Sequence, residues 1–394
     1  MLPALTETEL IFSALHLAQT PSAWQLECER AGVNWDSLTV RAIVLGLAPA
    51  LHARLAEWQI NAPPKALAKL GVTRQMHAQR NAAIYAQLGE ALTAFAERGL
   101  RPIALKGVHL AAAVYPDPAL RPMNDIDLLF TPAELPLAES VLESLGYGGK
   151  HKSAKLGPGV TKHTSTFQRA NAPAQASTPN PYLSSQAERM IEPHSSLEES
   201  WFGLKVDITP GMRERAVGAN LGGHTCRALA REDLLLHLCV HFCFHLIMGS
   251  PAMVQLLDLR YTSTGDVDWD VLAQRALERD AAPFALAALT LARRLLGAPI
   301  PEPTLARLAK ASPASHRRRV SQMTLADVLH RTQQKPLRTI IQRLQRGLTD
   351  RAEAARWASD WRGQWRVWRT ALDVGRTDTA RLLLRPIVAK GEKA

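Results

Sequence analysis

Between residues 100 and 149 the hydrophobic pattern of this chain changes its period, and that change limits the fold more than any other feature. Upstream, LTETELIFSALHLA, RAIVLGLAPALHARLAEW and RNAAIYAQLGEALTAFAERG repeat apolar residues at spacings of three and four, the pattern of helices. Gly99 closes the last of them, as a helix C-cap would. RPIALKG is then a short apolar run that suits a strand, and VHLAAAVY suits a short helix. PDPALRPMN is a Pro-rich turn, DIDLLF reads as a strand, and LPLAESVLESLGYGG is a helix stopped at Gly146. Strand, helix, strand, helix in so short a span marks a small α/β unit.

Residues 150–186 are rich in Ser, Thr, Pro, Ala and Asn, and their middle part reads as a mobile loop. ERMIEPHSSL and LKVDIT are the next strand-like runs. From Arg231 the helical period returns in REDLLLHLCVHFCFHLIM, WDVLAQRALERD and FALAALTLARRLL. SPASHRRRVSQ reads as a linker, and the remainder is basic and helical. The expected fold is therefore mixed α+β. A helical region spans 1–99, an α/β core 100–215, a second helical region 225–310, and a basic helical segment 311–394.

The net charge of +11 is concentrated at one end. Residues 311–394 hold 18 Lys and Arg against 7 Asp and Glu, while the first 310 residues hold 29 of each sign. Attraction to polyanions is therefore expected in the C-terminal segment. No apolar run reaches the about 18 residues a membrane span needs. The start, MLPALTETELIF, lacks the basic and apolar parts of a secretory signal. Cys28, Cys226, Cys239 and Cys243 are too few and scattered for a disulfide framework. They read as reduced, mostly buried thiols, and the expected location is cytoplasmic.

Asp125 and Asp127 carry the chemistry. On a strand, residues two apart share a face, their Cα atoms roughly 6.6 Å apart. Two carboxylates so placed can share hard cations held about 3.5–4 Å apart. Ile126 then points into the core, and Leu128, Leu129 and Phe130 anchor the strand. An Asp-x-Asp triplet is most often a solvated turn, but here both acids sit in an apolar run. Upstream, Lys106-Gly107 joins a strand to a helix, where glycine lets backbone N–H groups approach a phosphate. Lys106 adds a point charge, unless it is a plain surface lysine beside a turn glycine. Arg121 precedes Asp125 by four residues and suits either a phosphate fork or an ion pair with Asp125.

The run PIALKGVHLAAAVYPDPALRPMNDIDLLF…SLGYGG resembles the signature of the uncharacterised nucleotidyltransferase family, often found near bacterial biosynthetic gene clusters. That family belongs to the polymerase-β-like superfamily. IEPHSSL is similar to its acidic-x-His strand, and REDLLLHLCVHFCFH, LLDLR and VDWDVLAQRA continue the likeness over roughly residues 8–300. The resemblance implies a minimal nucleotidyltransferase core with a glycine turn, matched by Gly107, a metal pair, matched by Asp125 and Asp127, and a third acid. Glu192 is the favoured third acid, with His194 on the same face among the phosphate-binding groups; Asp207 is the alternative. Two departures stand out: Lys106-Gly107 replaces Gly-Ser, and Pro193 interrupts the acidic-x-His strand, which suits an edge. The implied activity is Mg²⁺- or Mn²⁺-dependent transfer of a nucleoside monophosphate from an NTP, ATP first, to a small molecule, peptide, protein or RNA. The rival readings are a non-catalytic basic module that binds nucleic acid or protein, and a toxin-like enzyme modifying RNA.

Two further patterns remain. His237, His241 and His245 recur every fourth residue and cannot all ligate one ion. They read as locally bonded or cleft-lining histidines, with zinc as the alternative. Trp357, Trp361, Trp365 and Trp368 fall on one face of a helix, with Arg356, Arg362, Arg366 and Arg369 interleaved. They suit either a helix packing its tryptophans or a basic aromatic surface for nucleic acid, an acidic peptide or a membrane.

Overall fold

A mixed sheet divides the apolar interior in two in the computed structural model, which describes residues 5–151, 165–169, 189–249, 252–330 and 340–370. Its strands are β1 (Ile103–Ala104), β2 (Asp125–Leu129), β3 (Tyr147–His151), β4 (Ser165–Arg169), β5 (Met190–His194), β8 (Val217–Leu221) and β9 (His224–Ala228), while β6 (Glu198–Trp201) and β7 (Leu204–Asp207) form a separate hairpin. Among the described residues the order is β3-β4-β5-β2-β1-β9-β8. β2 runs parallel to β5 and antiparallel to β1, and β1 runs parallel to β9.

Helices cover both faces. The N-terminal region is α1 (Glu7–Leu15), α2 (Pro21–Ala31), α3 (Trp35–Val44), α4 (Ala48–Glu57) and α5 (Pro64–Glu97). The core adds α6 (Lys106–Ala113) and α7 (Leu135–Ser144). The second helical region holds α8 (Arg231–Met248), α9 (Val254–Ser263), α10 (Trp269–Glu278), α11 (Ala282–Leu296) and α12 (Glu302–Lys310). The C-terminal segment holds α13 (Ala314–Gln322), α14 (Leu325–His330), α15 (Ile340–Trp357) and α16 (Trp361–Arg369). No helix among the described residues is long and apolar enough to cross a membrane. The four cysteines are buried free thiols, and burial raises the thiol of Cys226 to about 11.

Strand alternation sorts the core. Ile126 and Leu128 on β2, with Ile191 on β5, pack on Leu88 and Phe95 of α5 and Leu142 of α7. Leu129 joins the larger cluster built on α8, α9 and α11. The acids of β2 therefore face the helical half of the molecule. Caps follow local chemistry: Thr6 and Glu9 form a capping box on α1, and Asp268 caps α10.

α5 starts much earlier than its strongest periodic stretch, because Pro64 suits the first turn and Ala, Leu, Lys and Gln sustain the helix through it. Gly89 lets the β8–β9 turn reach α5: a Cβ there would lie 2.1 Å from the His224 ring. Gly99 and Gly146 adopt positive φ after α5 and α7, as the sequence predicts.

Several expectations need correction. β4 lies inside the segment read as a loop, and the rest of that loop, 152–164 and 170–186, falls outside the described residues. The stretch read as a linker forms α13, held by buried His316 and an Arg319–Glu353 ion pair at 2.6 Å. Pro193 is not on an edge strand, since β5 lies between β4 and β2. His194 O accepts from Phe130 N on the β2 side, so Pro193 turns toward β4, whose register with β5 is confined to Phe167↔Ile191. The missing N–H thus costs no bond to β2.

The tryptophan helix is two helices. Asp360 accepts from Gly363 N at 2.7 Å and restarts the helix as α16. Trp357 is fully buried against Phe284 and His316 and donates to Glu353. Trp361, Trp365 and Trp368 are 71%, 58% and 41% exposed, so packing accounts for one tryptophan and not the other three.

Burial also sets an acid sensitivity. His109 on α6 is 6% exposed, and burial, with Arg231 adding to it, lowers its pKa to about 4. Between the unfolded value near 6.5 and about 4, the unfolded chain binds the extra proton, so stability is full above 6.5 and falls as pH drops. The loss over the first two units is roughly 2–3 kcal/mol. Urea midpoints measured from pH 7 to 4.5 should fall less in His109→Gln than in the parent; parallel curves would remove His109 as the cause.

Candidate active site

Register brings the acids together. Asp127 lies directly opposite Glu192 in the parallel β2–β5 pair, and Asp125 is opposite Met190. Asp125, Asp127, Glu192 and His194 therefore share one face at the centre of the sheet. Asp127 is 1% exposed, Glu192 6% and His194 0%. Ligand atoms of Asp127, Glu192 and His194 all lie within 4.8 Å of one another. Thr166 on β4 donates to Glu192 Oε1 at 3.5 Å.

Asp127 Oδ1 gathers two partners, Lys106 Nζ at 3.0 Å and His194 Nε2 at 2.6 Å. Lys106 reaches it from the first residue of α6, where its φ is 44°, left-handed backbone that a non-glycine residue adopts at a cost of roughly 1–3 kcal/mol. The bond from Leu105 N to Asp127 O ties this turn to β2. At Gly107 a Cβ would lie 3.0 Å from Arg121 Nη1, so a larger residue would press on the guanidinium and shift it by a few tenths of an ångström.

The electrostatics follow from crowding. Burial, then Asp127 and Glu192, push the Asp125 carboxyl well above the usual carboxylate range, against the opposing pull of Lys106 and Arg121. Burial works to lower the Lys106 pKa, but Asp127, Asp125 and Glu192 together outweigh it and leave it raised. Three carboxyls around one lysine leave an excess of negative potential in a buried setting, which a divalent cation would relieve.

A family profile described as "Uncharacterised nucleotidyltransferase" matches residues 31–297. The chain belongs to that family. No curated protein and no solved structure matches it.

The matched span of this uncharacterised nucleotidyltransferase runs from the end of α2 to just past α11, and so contains every residue of the acidic site. Within it the residues expected from sequence divide. Lys106, Asp127, Glu192 and His194 come together, and Gly107 sits at the adjoining turn. Asp125 shares the face as an electrostatic neighbour but lies outside the three-ligand group of Asp127, Glu192 and His194. Asp207 does not join the cluster: it lies on β7 of the separate hairpin and accepts from Thr209 N and Oγ1 at 2.9 and 2.6 Å. His194, expected among phosphate-binding groups, is buried against Asp127.

Arg121 has a partner that neither sequence alternative named. Asp258 on α9 receives Nε at 3.1 Å and Nη2 at 2.8 Å in a two-pronged bond, and Nη1 donates to Pro122 O. Tyr115 OH donates to the same carboxylate at 2.7 Å. Asp258 is 0% exposed, so this is a buried network joining the turn before β2 to the helical half. The sequence signal was LLDLR, an acid inside an apolar helix, which needs a partner when buried. Gln87 of α5 is a second residue that sequence reading passed over; its amide brackets Arg189 with bonds of 2.7 and 3.0 Å and fixes the entry to β5.

The histidine ladder stays outside the acidic site. His241 Nδ1 meets Glu199 Oε1 at 3.0 Å, and the rings of His237 and His245 pack on either side of it. None of the three belongs to a three-ligand cluster among the described residues.

Proposed function

We propose that this chain transfers a nucleoside monophosphate from a nucleoside triphosphate, ATP first, to an acceptor and releases pyrophosphate. The observation that carries the reading is the Asp127↔Glu192 register, with Asp125 on the same face and Lys106 against Asp127. The family membership points the same way.

The donor set suits Mg²⁺ or Mn²⁺, because hard cations take carboxylate oxygens and the buried acids carry more negative charge than Lys106 balances. Asp125, Asp127 and Glu192 would hold the cation, which supplies charge neutralisation of the phosphates when bound. His194 holds the Asp127 carboxylate in one orientation, as an outer partner of a ligand does. Lys106 and the Gly107 amide are set to meet phosphate oxygens at the start of α6. Arg121 contributes as a fixed charge beside Asp125, since its fork is engaged by Asp258. The acceptor oxygen attacks the α-phosphorus, the bond from that phosphorus to the bridging oxygen breaks, pyrophosphate leaves, and Glu192 takes the acceptor proton.

The test is pyrophosphate release with each NTP in Mg²⁺ or Mn²⁺, over small-molecule, peptide, protein and RNA acceptors and the chain itself. Release that depends on an acceptor and stops with EDTA is the expected result. Metal-independent turnover, or none with any nucleotide across the panel, rejects the reading.

A further inference from the structure

α16 presents three distinct sides. On a helical projection Trp361, Trp365 and Trp368 fall within about 60° of one another, and Arg362, Arg366 and Arg369 occupy the adjacent about 60°. Gly363 and Val367 form the third side and are buried. That side rests on the β6–β7 turn, where Gly203 packs against the backbone of Arg366 and the Thr370 side chain. The helix is therefore fixed to the body with its aromatic and cationic stripes both outward. All three arginines are exposed, and residues 361–369 contain no acid. α16 also lies beyond the span that the nucleotidyltransferase family covers, so the acidic site leaves it unexplained.

Large exposed tryptophans in a row mark an interaction surface. The stripes decide its partner. A helix lying in a membrane interface is surrounded by headgroups and gains from cations along both flanks of its apolar sector. Here the cations line one flank only, and the other carries Gln364. A single nucleic-acid strand has that asymmetry, with flat bases on one edge and phosphates on the other. Indole faces stack on bases of any identity, and guanidiniums pair with phosphates. Arg362 already sits 5.6 Å over the Trp361 ring, holding charge beside a stacking plane.

We propose that the exposed face of α16 docks single-stranded nucleic acid, bases on Trp361, Trp365 and Trp368 and phosphates on Arg362, Arg366 and Arg369. This surface works independently of the acidic site. Binding of a short, mixed-sequence, fluorescein-labelled single-stranded RNA to the full chain, read by anisotropy across a salt titration, tests it. Each tryptophan changed to alanine should weaken binding by about fivefold to a hundredfold. Changing the three arginines to glutamine should flatten the logarithmic salt slope by roughly two units. These side chains are exposed, so the melting temperature should not move, and Asp127→Asn should bind the strand like the parent, which separates this result from failure of the nucleotidyl-transfer reading. The proposal is overturned by absence of strand binding, by unchanged affinity in the triple tryptophan variant, by preference for phosphatidylserine vesicles over the strand, or by self-association of the chain through the same tryptophans in place of strand binding.

Discussion

Asp127→Asn is expected to lower nucleotidyl transfer on the order of 10³–10⁴-fold, the scale of losing one member of a catalytic constellation, while the fold persists. Asn keeps the shape and an acceptor oxygen for Lys106 and His194, but not the charge. Lys106 would not be stranded, because Asp125 and Glu192 also hold its pKa up. Removing one acid from a crowded buried set relieves repulsion as well as costing an ion pair, so the melting temperature should move little. Pyrophosphate release and circular dichroism on the same preparation check both halves. Undiminished turnover in the folded variant would remove the acidic cluster from the reaction. Asp207→Asn is the companion, expected to leave turnover near the parent level; loss of transfer there would move the third acid from β5 to β7.

Asp258→Asn is expected to destabilise the chain by about 3–5 kcal/mol, the cost of breaking a buried ion pair from one side. The Arg121 fork donates to both Asp258 oxygens and Tyr115 donates to one of them. An amide at this position turns a donor toward the guanidinium and leaves that charge poorly compensated. The turn before β2 should loosen, and transfer should fall with it, because Arg121 lies against Gly107 and lowers the pKa of Asp125. Adding Arg121→Met should restore much of the stability, by removing the stranded charge, without restoring turnover. Urea denaturation of the single and double variants measures the coupling. A loss under about 1 kcal/mol in Asp258→Asn would place this network with weak surface pairs.

Much of the architecture was legible because local patterns carried it. The residues REDLLLHLCVHFCFHLIM and α8 coincide, since an apolar run of that length bounded by Gly249 has one satisfactory structure. β2 was legible because DIDLL alternates and then turns apolar. The failures were local competitions read the wrong way. Arg-rich α13 carries few apolar residues, and its burial rests on His316 and Val320, which composition hides. The break at Asp360 was invisible to a count of tryptophan spacings, although an acid three residues before Gly363 is a helix-start signal.

The sequence by itself determined the strands that carry Asp125, Asp127 and Glu192, though not β4 beside them, and that Asp125 and Asp127 share a face, because those depend on neighbours within a few residues. Tertiary structure decided that Glu192, not Asp207, lies across from Asp127, because strand partners follow from sheet order. It also decided that Arg121 answers to an aspartate 137 positions away, and that one tryptophan is core while three face water. Pairing across such separations depends on packing that no local spacing encodes: a buried charge takes whichever opposite charge the fold brings within hydrogen-bond reach.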